Sequence, residues 1–89
     1  MDNATRSKVL RRLKIIEGQV RGLQRLAEED TYCVDILGQT SAVKEALSSV
    51  ENTLLENHLN TCVVEQMQSG QRAKAVQEMV KVYKLSKRT

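Results

Sequence analysis

The chain has 89 residues with no Pro, no Phe or Trp, two Tyr, four Gly, two Cys, one His and a formal net charge of +3. That length makes one domain, 1–89, with a marginal core and almost none of the aromatic bulk that usually fills one. No apolar run approaches the roughly 18 residues of a membrane span, and Met1–Arg6 leads into no apolar stretch. The expectation is therefore a cytoplasmic protein with no membrane partner, whose cysteines are free thiols or metal ligands rather than a disulfide.

The mild net charge hides an uneven distribution. Residues 1–27 carry seven cations (Arg6, Lys8, Arg11, Arg12, Lys14, Arg21, Arg25) against Asp2 and Glu17. Residues 81–89 add Lys81, Lys84, Lys87 and Arg88 without an acid. Both ends suit a polyanion.

Three helical segments follow in order. From about Thr5 to Glu29, Val9, Leu13, Ile16, Val20, Leu23 and Ala27 alternate at spacings of four and three, which predicts a helix with one apolar seam. Arg11, Lys14, Gly18, Arg21 and Arg25 share the opposite, basic face. Asp30 or Thr31 is suited to cap the next helix. That helix meets no breaker before Ser69-Gly70 and is predicted over about Tyr32 to Gln66, roughly 50 Å at 1.5 Å per residue. Its stripe is Ile36, Val43, Leu47, Val50, Leu54 and Cys62, widened by Leu37, Leu55 and Leu59. Gly38 weakens it by about 1 kcal/mol without ending it. After the Ser69-Gly70 turn, a third helix is predicted from about Gln71 to Leu85, with Val76, Met79, Val80 and Tyr83 as its apolar face. Three helices, one very long, do not close a core alone. The simplest partner is a second copy, its long helix antiparallel across a two-fold axis.

Cys33, His58 and Cys62 carry the chemistry. Cysteines often serve as small core hydrophobes, yet the only His stands four residues before Cys62, one helical turn away on the same face. Cys33 lies 25 residues before His58, about 37 Å along a helix axis. It reaches the pair only in another subunit, and an antiparallel dimer with its axis near Ala46 and Leu47 allows that at two equivalent sites. Two thiolates and an imidazole suit a soft ion. Zinc prefers a fourth ligand, whereas three-coordinate Cu(I) needs none; composition leans to copper and leaves zinc open.

The residues Thr31-Tyr32-Cys33-Val34-Asp35, Asn57-His58-Leu59-Asn60-Thr61-Cys62 and Arg12-Leu13-Lys14-Ile15-Ile16-Glu17-Gly18-Gln19-Val20-Arg21-Gly22-Leu23 closely resemble the copper-sensitive operon repressor (CsoR) family over nearly the entire chain. The resemblance implies an all-α, three-helix protomer assembled as a dimer of dimers. It implies a Cu(I)-responsive transcriptional repressor with metal ligands Cys33, His58 and Cys62, whose apo form binds operator DNA and whose copper-bound form derepresses copper-resistance genes. By the same resemblance, Tyr32 and Glu78 connect the copper site to the protein, and Arg12 is the leading operator contact. Related sensors of nickel or cobalt are His-rich, formaldehyde sensors carry a Pro after the initiator Met, and persulfide sensors lack the His. Here Asn3, Cys62, Asp2 and His58 favour the copper branch.

No helix-turn-helix is apparent, so the basic first helix is the expected surface for double-stranded DNA, with Lys8, Arg11, Lys14 and Arg21 on phosphates. An enzyme is not expected: the Cys/His pair has no orienting third residue and no Gly-rich loop. The serious rival is a thiol or persulfide sensor of the same fold, in which Cys33 and Cys62 of paired subunits bridge directly.

Overall fold

The computed structural model describes residues 1–87; Arg88, one of the C-terminal cations, and Thr89 lie outside the described residues. The described chain is helical, with no strand: α1 (Asn3–Glu28), α2 (Cys33–His58), a π-helical turn (Leu59–Val63), α3 (Val64–Gln68) and α4 (Arg72–Ser86). No helix among the described residues is long and apolar enough to cross a membrane. The structure divides into two compact units, Met1–Glu56 and a second that begins at Asn57.

The first unit is a helical hairpin. Asp2 caps α1, its carboxylate accepting a 2.7 Å hydrogen bond from the Thr5 backbone N–H. That bond to the charged form holds the Asp2 carboxyl below its ordinary value. At the other end, Asp30 does not cap α2 as expected. It adopts a left-handed conformation (φ 54°), and the Thr31 N–H turns back to the Leu26 carbonyl at 3.1 Å, which closes α1 in the manner usual for glycine. The Tyr32 carbonyl, accepting from Asp35 and Ile36, starts α2.

Val9 and Ile16 of α1 bury against Val43 and Val50 of α2, with Leu23 and Ala46 packed on the cluster. Val9, Ile16 and Leu23 recur every seven residues, so the true seam is narrower than the expected one and rotated from it. Leu13 and Val20, expected in the core, remain 40% and 42% exposed. The rotation instead brings Arg12 to the helix contact, where its guanidinium donates to the Ser49 hydroxyl. Gly38 does not interrupt α2.

The second unit carries the departure from regular helix. The expected uniform helix passes after His58 into the π-helical turn before α3, and the helical run continues to Gln68. Thr61 within this turn donates to the Asn57 carbonyl at 2.7 Å, taking an acceptor that the backbone ladder also uses. Thr40 and Thr53 make the same bond inside regular α2, so the hydroxyl alone does not make the π turn. Gly70 (φ 82°) closes α3 with a 2.7 Å bond from the Gln71 N–H to the Gln66 carbonyl, confirming the Ser69-Gly70 turn.

In α4 the inward face is Ala75, Glu78, Met79 and Val82. Of the predicted apolar face, Met79 turns inward, while Val76, Val80 and Tyr83 stay 54%, 47% and 59% exposed. With Val63 and Met67 they line an open groove of about 340 Å³. Apolar surface is left over on every long helix, with Leu10, Leu37 and Tyr83 each more than half exposed.

Candidate metal site and basic faces

Cys33 is the first residue of α2, exposed and with a free thiol; Tyr32 beside it is 69% exposed. In the second unit, His58 ends α2 and Cys62 sits inside the π turn. A π turn closes i→i+5 and is wider than an α turn, so Cys62 follows His58 by less than a full turn rather than slightly more. The Cys62 thiol is free. Its Sγ lies 3.6 Å from the Thr61 hydroxyl, whose single proton serves the nearer Asn57 carbonyl.

Glu78 is the residue that the fold adds to the pair. Projecting inward from α4, its Oε2 lies 3.3 Å from His58 Nε2, and the same oxygen accepts a 3.1 Å hydrogen bond from Gln66 Nε2. His58 Nε2 is buried, and its contact with Glu78 falls outside hydrogen-bond geometry. It is thus a polar atom held against a carboxylate and short of a full partner, a state normally avoided. Sequence reasoning misses Gln66. Its only signal there is a separation of 12 residues from Glu78, which points to nothing until α3 and α4 are folded together.

Within one chain, no three His, Cys, Asp or Glu side chains among the described residues gather into a group able to hold a metal ion. The candidate donors come apart: Cys33 in the first unit, and His58 and Cys62 in the second.

The basic residues of α1 divide in two. Lys8, Arg11, Lys14, Arg21 and Arg25 are all exposed, and Arg11, Lys14, Arg21 and Arg25 share one face of the helix. Arg21 pairs with Glu17 at 3.2 Å, one turn back, with both side chains well solvated, a contact of little energetic weight. Arg12 stands apart, half-buried with its guanidinium at Ser49.

These features define a class first: a small, all-helical protein with thiol and imidazole donors at its helix ends and a basic first helix. The family of metal-sensitive transcriptional repressors matches residues 5–84. The chain belongs to that family. It is 47% identical over 79 residues to the copper-sensing transcriptional repressor CsoR of Bacillus subtilis, spanning 89% of this chain and 78% of that protein. It is 52% identical over 60 residues to the copper-sensing repressor RicR of Mycobacterium tuberculosis, spanning 67% of this chain and 62% of that one. In three dimensions it resembles the crystal structure of the copper-sensing repressor CsoR with Cu(I) from Geobacillus thermodenitrificans, at a TM-score of 0.90 and 40% identity, covering 96% of this chain and 88% of that one.

Proposed function

We propose that the protein is a Cu(I)-responsive transcriptional repressor of the cytoplasm, whose apo form holds operator DNA and whose copper-bound form releases it. The observation that carries this reading is the state of His58. The chain's only imidazole has Nε2 buried against Glu78, while both cysteines are free. A ligating His commonly gives its second ring N–H to a carboxylate, which fixes the tautomer and the ring. Nε2 faces the Glu78 carboxylate at 3.3 Å, short of hydrogen-bond geometry, so Nδ1 is the nitrogen left to act as the donor. Together with two thiolates it makes a soft, three-donor set suited to Cu(I).

Cys33 and His58 are the first and last residues of α2, and a helix rises about 1.5 Å per residue. The three donors therefore meet only between copies, Cys33 of one subunit with His58 and Cys62 of another. An antiparallel dimer supplies two such sites, and a dimer of dimers would cover the apolar surface left on the helices. These donors of two subunits would together hold Cu(I). In this reading Glu78 carries the change at His58 into α4, and Tyr32 adjoins the Cys33 side of the site.

On the DNA side, Lys8, Arg11, Lys14 and Arg21 would meet phosphates, which position the protein without reading sequence. Arg12, held at Ser49, would contact the operator from a fixed position at the α1–α2 contact. By linkage, DNA must weaken copper binding by the factor by which copper weakens DNA binding.

Titrating labelled promoter DNA with protein, with and without Cu(I), tests the reading: saturating Cu(I) is expected to lower operator affinity, and unchanged affinity overturns it. His58→Ala separates the thiol alternative. A copper sensor loses its response with this substitution, and a sulfur sensor keeps it.

A further inference from the structure

The outward side of α4 has no part in the site above, yet its charge is one-sided. Lys74, Gln77, Lys81 and Lys84 follow each other at spacings of three, four and three, and all are exposed. This line lies to one side of the inward face of Ala75, Glu78 and Val82, about a third of a turn round the helix. From Gln66 to the end of the described chain the only acid is Glu78, and it is turned inward onto His58 and Gln66. Among the described residues, no carboxylate lies within ion-pair distance of Lys74, Lys81 or Lys84. Lys87, by contrast, is folded over the Tyr83 ring at 4.9 Å.

A merely solvated helix face usually mixes signs in i, i+4 pairs, as Glu17 and Arg21 do on α1. Here Lys81 and Lys84 are like-charged neighbours one turn apart, an arrangement that weakens a helix unless an anion offsets it. Lys74 to Lys84 spans about 15 Å along the axis, close to the rise of four base pairs of duplex. The glutamine between them adds an uncharged donor.

We propose that this face of α4 is a second DNA-backbone contact, with Lys74, Lys81 and Lys84 on phosphates. The inference rests on the repressor reading and extends it. One helix bears Glu78 against His58 on its inner side and the phosphate-binding line on an exposed flank. A change at His58 that moves Glu78 therefore moves the DNA-binding face with it. Lysines act on phosphates as point charges, so the line contributes affinity and salt dependence but no choice of sequence.

The test is the double variant Lys81→Gln/Lys84→Gln, with Lys81→Glu/Lys84→Glu as a stronger form and circular dichroism to verify folding. Binding to labelled operator and to an unrelated duplex of equal length is measured across a salt series. The expected result is about tenfold or greater weakening on both duplexes, with the log–log salt slope shallower by about 0.9 for each phosphate that is no longer neutralised. Cu(I) affinity should stay the same, because no metal donor is touched. Unchanged affinity and slope overturn the inference, as does tighter binding of single-stranded RNA than of duplex by the unaltered protein. Lys14→Gln/Arg21→Gln runs in parallel. If only that variant weakens binding, the α4 face fails alone; if neither does, the α1 reading fails with it.

Discussion

Glu78 Oε2 and His58 Nε2 meet at 3.3 Å, and Gln66 donates to the same carboxylate oxygen at 3.1 Å. One carboxylate thus connects three consecutive pieces of helix: the end of α2, α3 and α4. In the proposed reading this contact is the path by which a change at the imidazole reaches α4. Coupling between two ligand sites is typically about 1–3 kcal/mol, and Glu78→Ala is expected to remove most of it. Apo operator affinity should change little, while the loss of affinity caused by Cu(I) should shrink to a few-fold. Paired DNA titrations with and without Cu(I) measure this. A variant that releases DNA as fully as the unaltered protein would reduce Glu78 to a packing residue.

The hairpin core is small, so each member carries weight. Ile16 is 6% exposed and packs with Val9, Val43 and Val50. Ile16→Ala is expected to lower stability by about 2–4 kcal/mol through reduced burial and a residual cavity, read from denaturant midpoints at fixed protein concentration. A drop below about 1 kcal/mol would mean that the cluster contributes little to holding α1 on α2.

Helix identity was legible because breakers are few and well placed: no Pro, a Ser69-Gly70 turn, and a Gly38 too isolated to end α2. The azimuth of each buried face was less legible. Hydropathy alone groups Leu13 and Val20 with Val9 and Ile16, and only the packing angle of α2 decides that Arg12, not Leu13, faces it. The same applies to α4, where Ala75 is buried and Val76 exposed because a small residue permits close approach. The π turn left no mark in composition, since Thr61 bonds backward as Thr40 and Thr53 do. Glu78 was reached through resemblance rather than spacing: its contacts with His58 and Gln66 exist only once α4 has folded back. As for the three donors, spacing put Cys33 beyond reach of the other two along one helix, and no intrachain metal group forms among the described residues.

Asp2 makes the stability of the first turn of α1 depend on pH. Its carboxyl lies below its ordinary value because the Thr5 N–H bonds to the charged form. A depressed acid stabilises the fold above its unfolded pKa, and that contribution is lost as pH falls through the lowered folded value. Helical order at residues 3–6, followed by amide exchange or chemical shifts, should hold at neutral pH and fade in strong acid. Asn caps about as well as Asp and does not titrate, so Asp2→Asn should keep the turn and abolish its pH dependence. Asp2→Ala should fray it at every pH. A turn that loosens equally in Asp2→Asn as acid is added would assign the effect to another group.

A ligand set shared between copies makes a prediction that one kind of subunit cannot imitate. In the proposed antiparallel pair, each site would take Cys33 from one chain and His58 with Cys62 from the other. Cys33→Ala breaks both sites of its homodimer, and so does His58→Ala. When the two variants are mixed and allowed to exchange subunits, the heterodimer regains one site: the intact Cys33 of the His58→Ala chain faces the intact His58 and Cys62 of the Cys33→Ala chain. Its other site lacks both donors. Random exchange makes half the dimers mixed, so tight Cu(I) binding should return to about a quarter of the unaltered capacity. The measurement is competition against a Cu(I) chelator before and after mixing. Neither variant alone should hold copper against that chelator. If the Cys33→Ala homodimer does, Cys33 is not a ligand; if both fail and mixing restores nothing, the donors are not divided between subunits in this way.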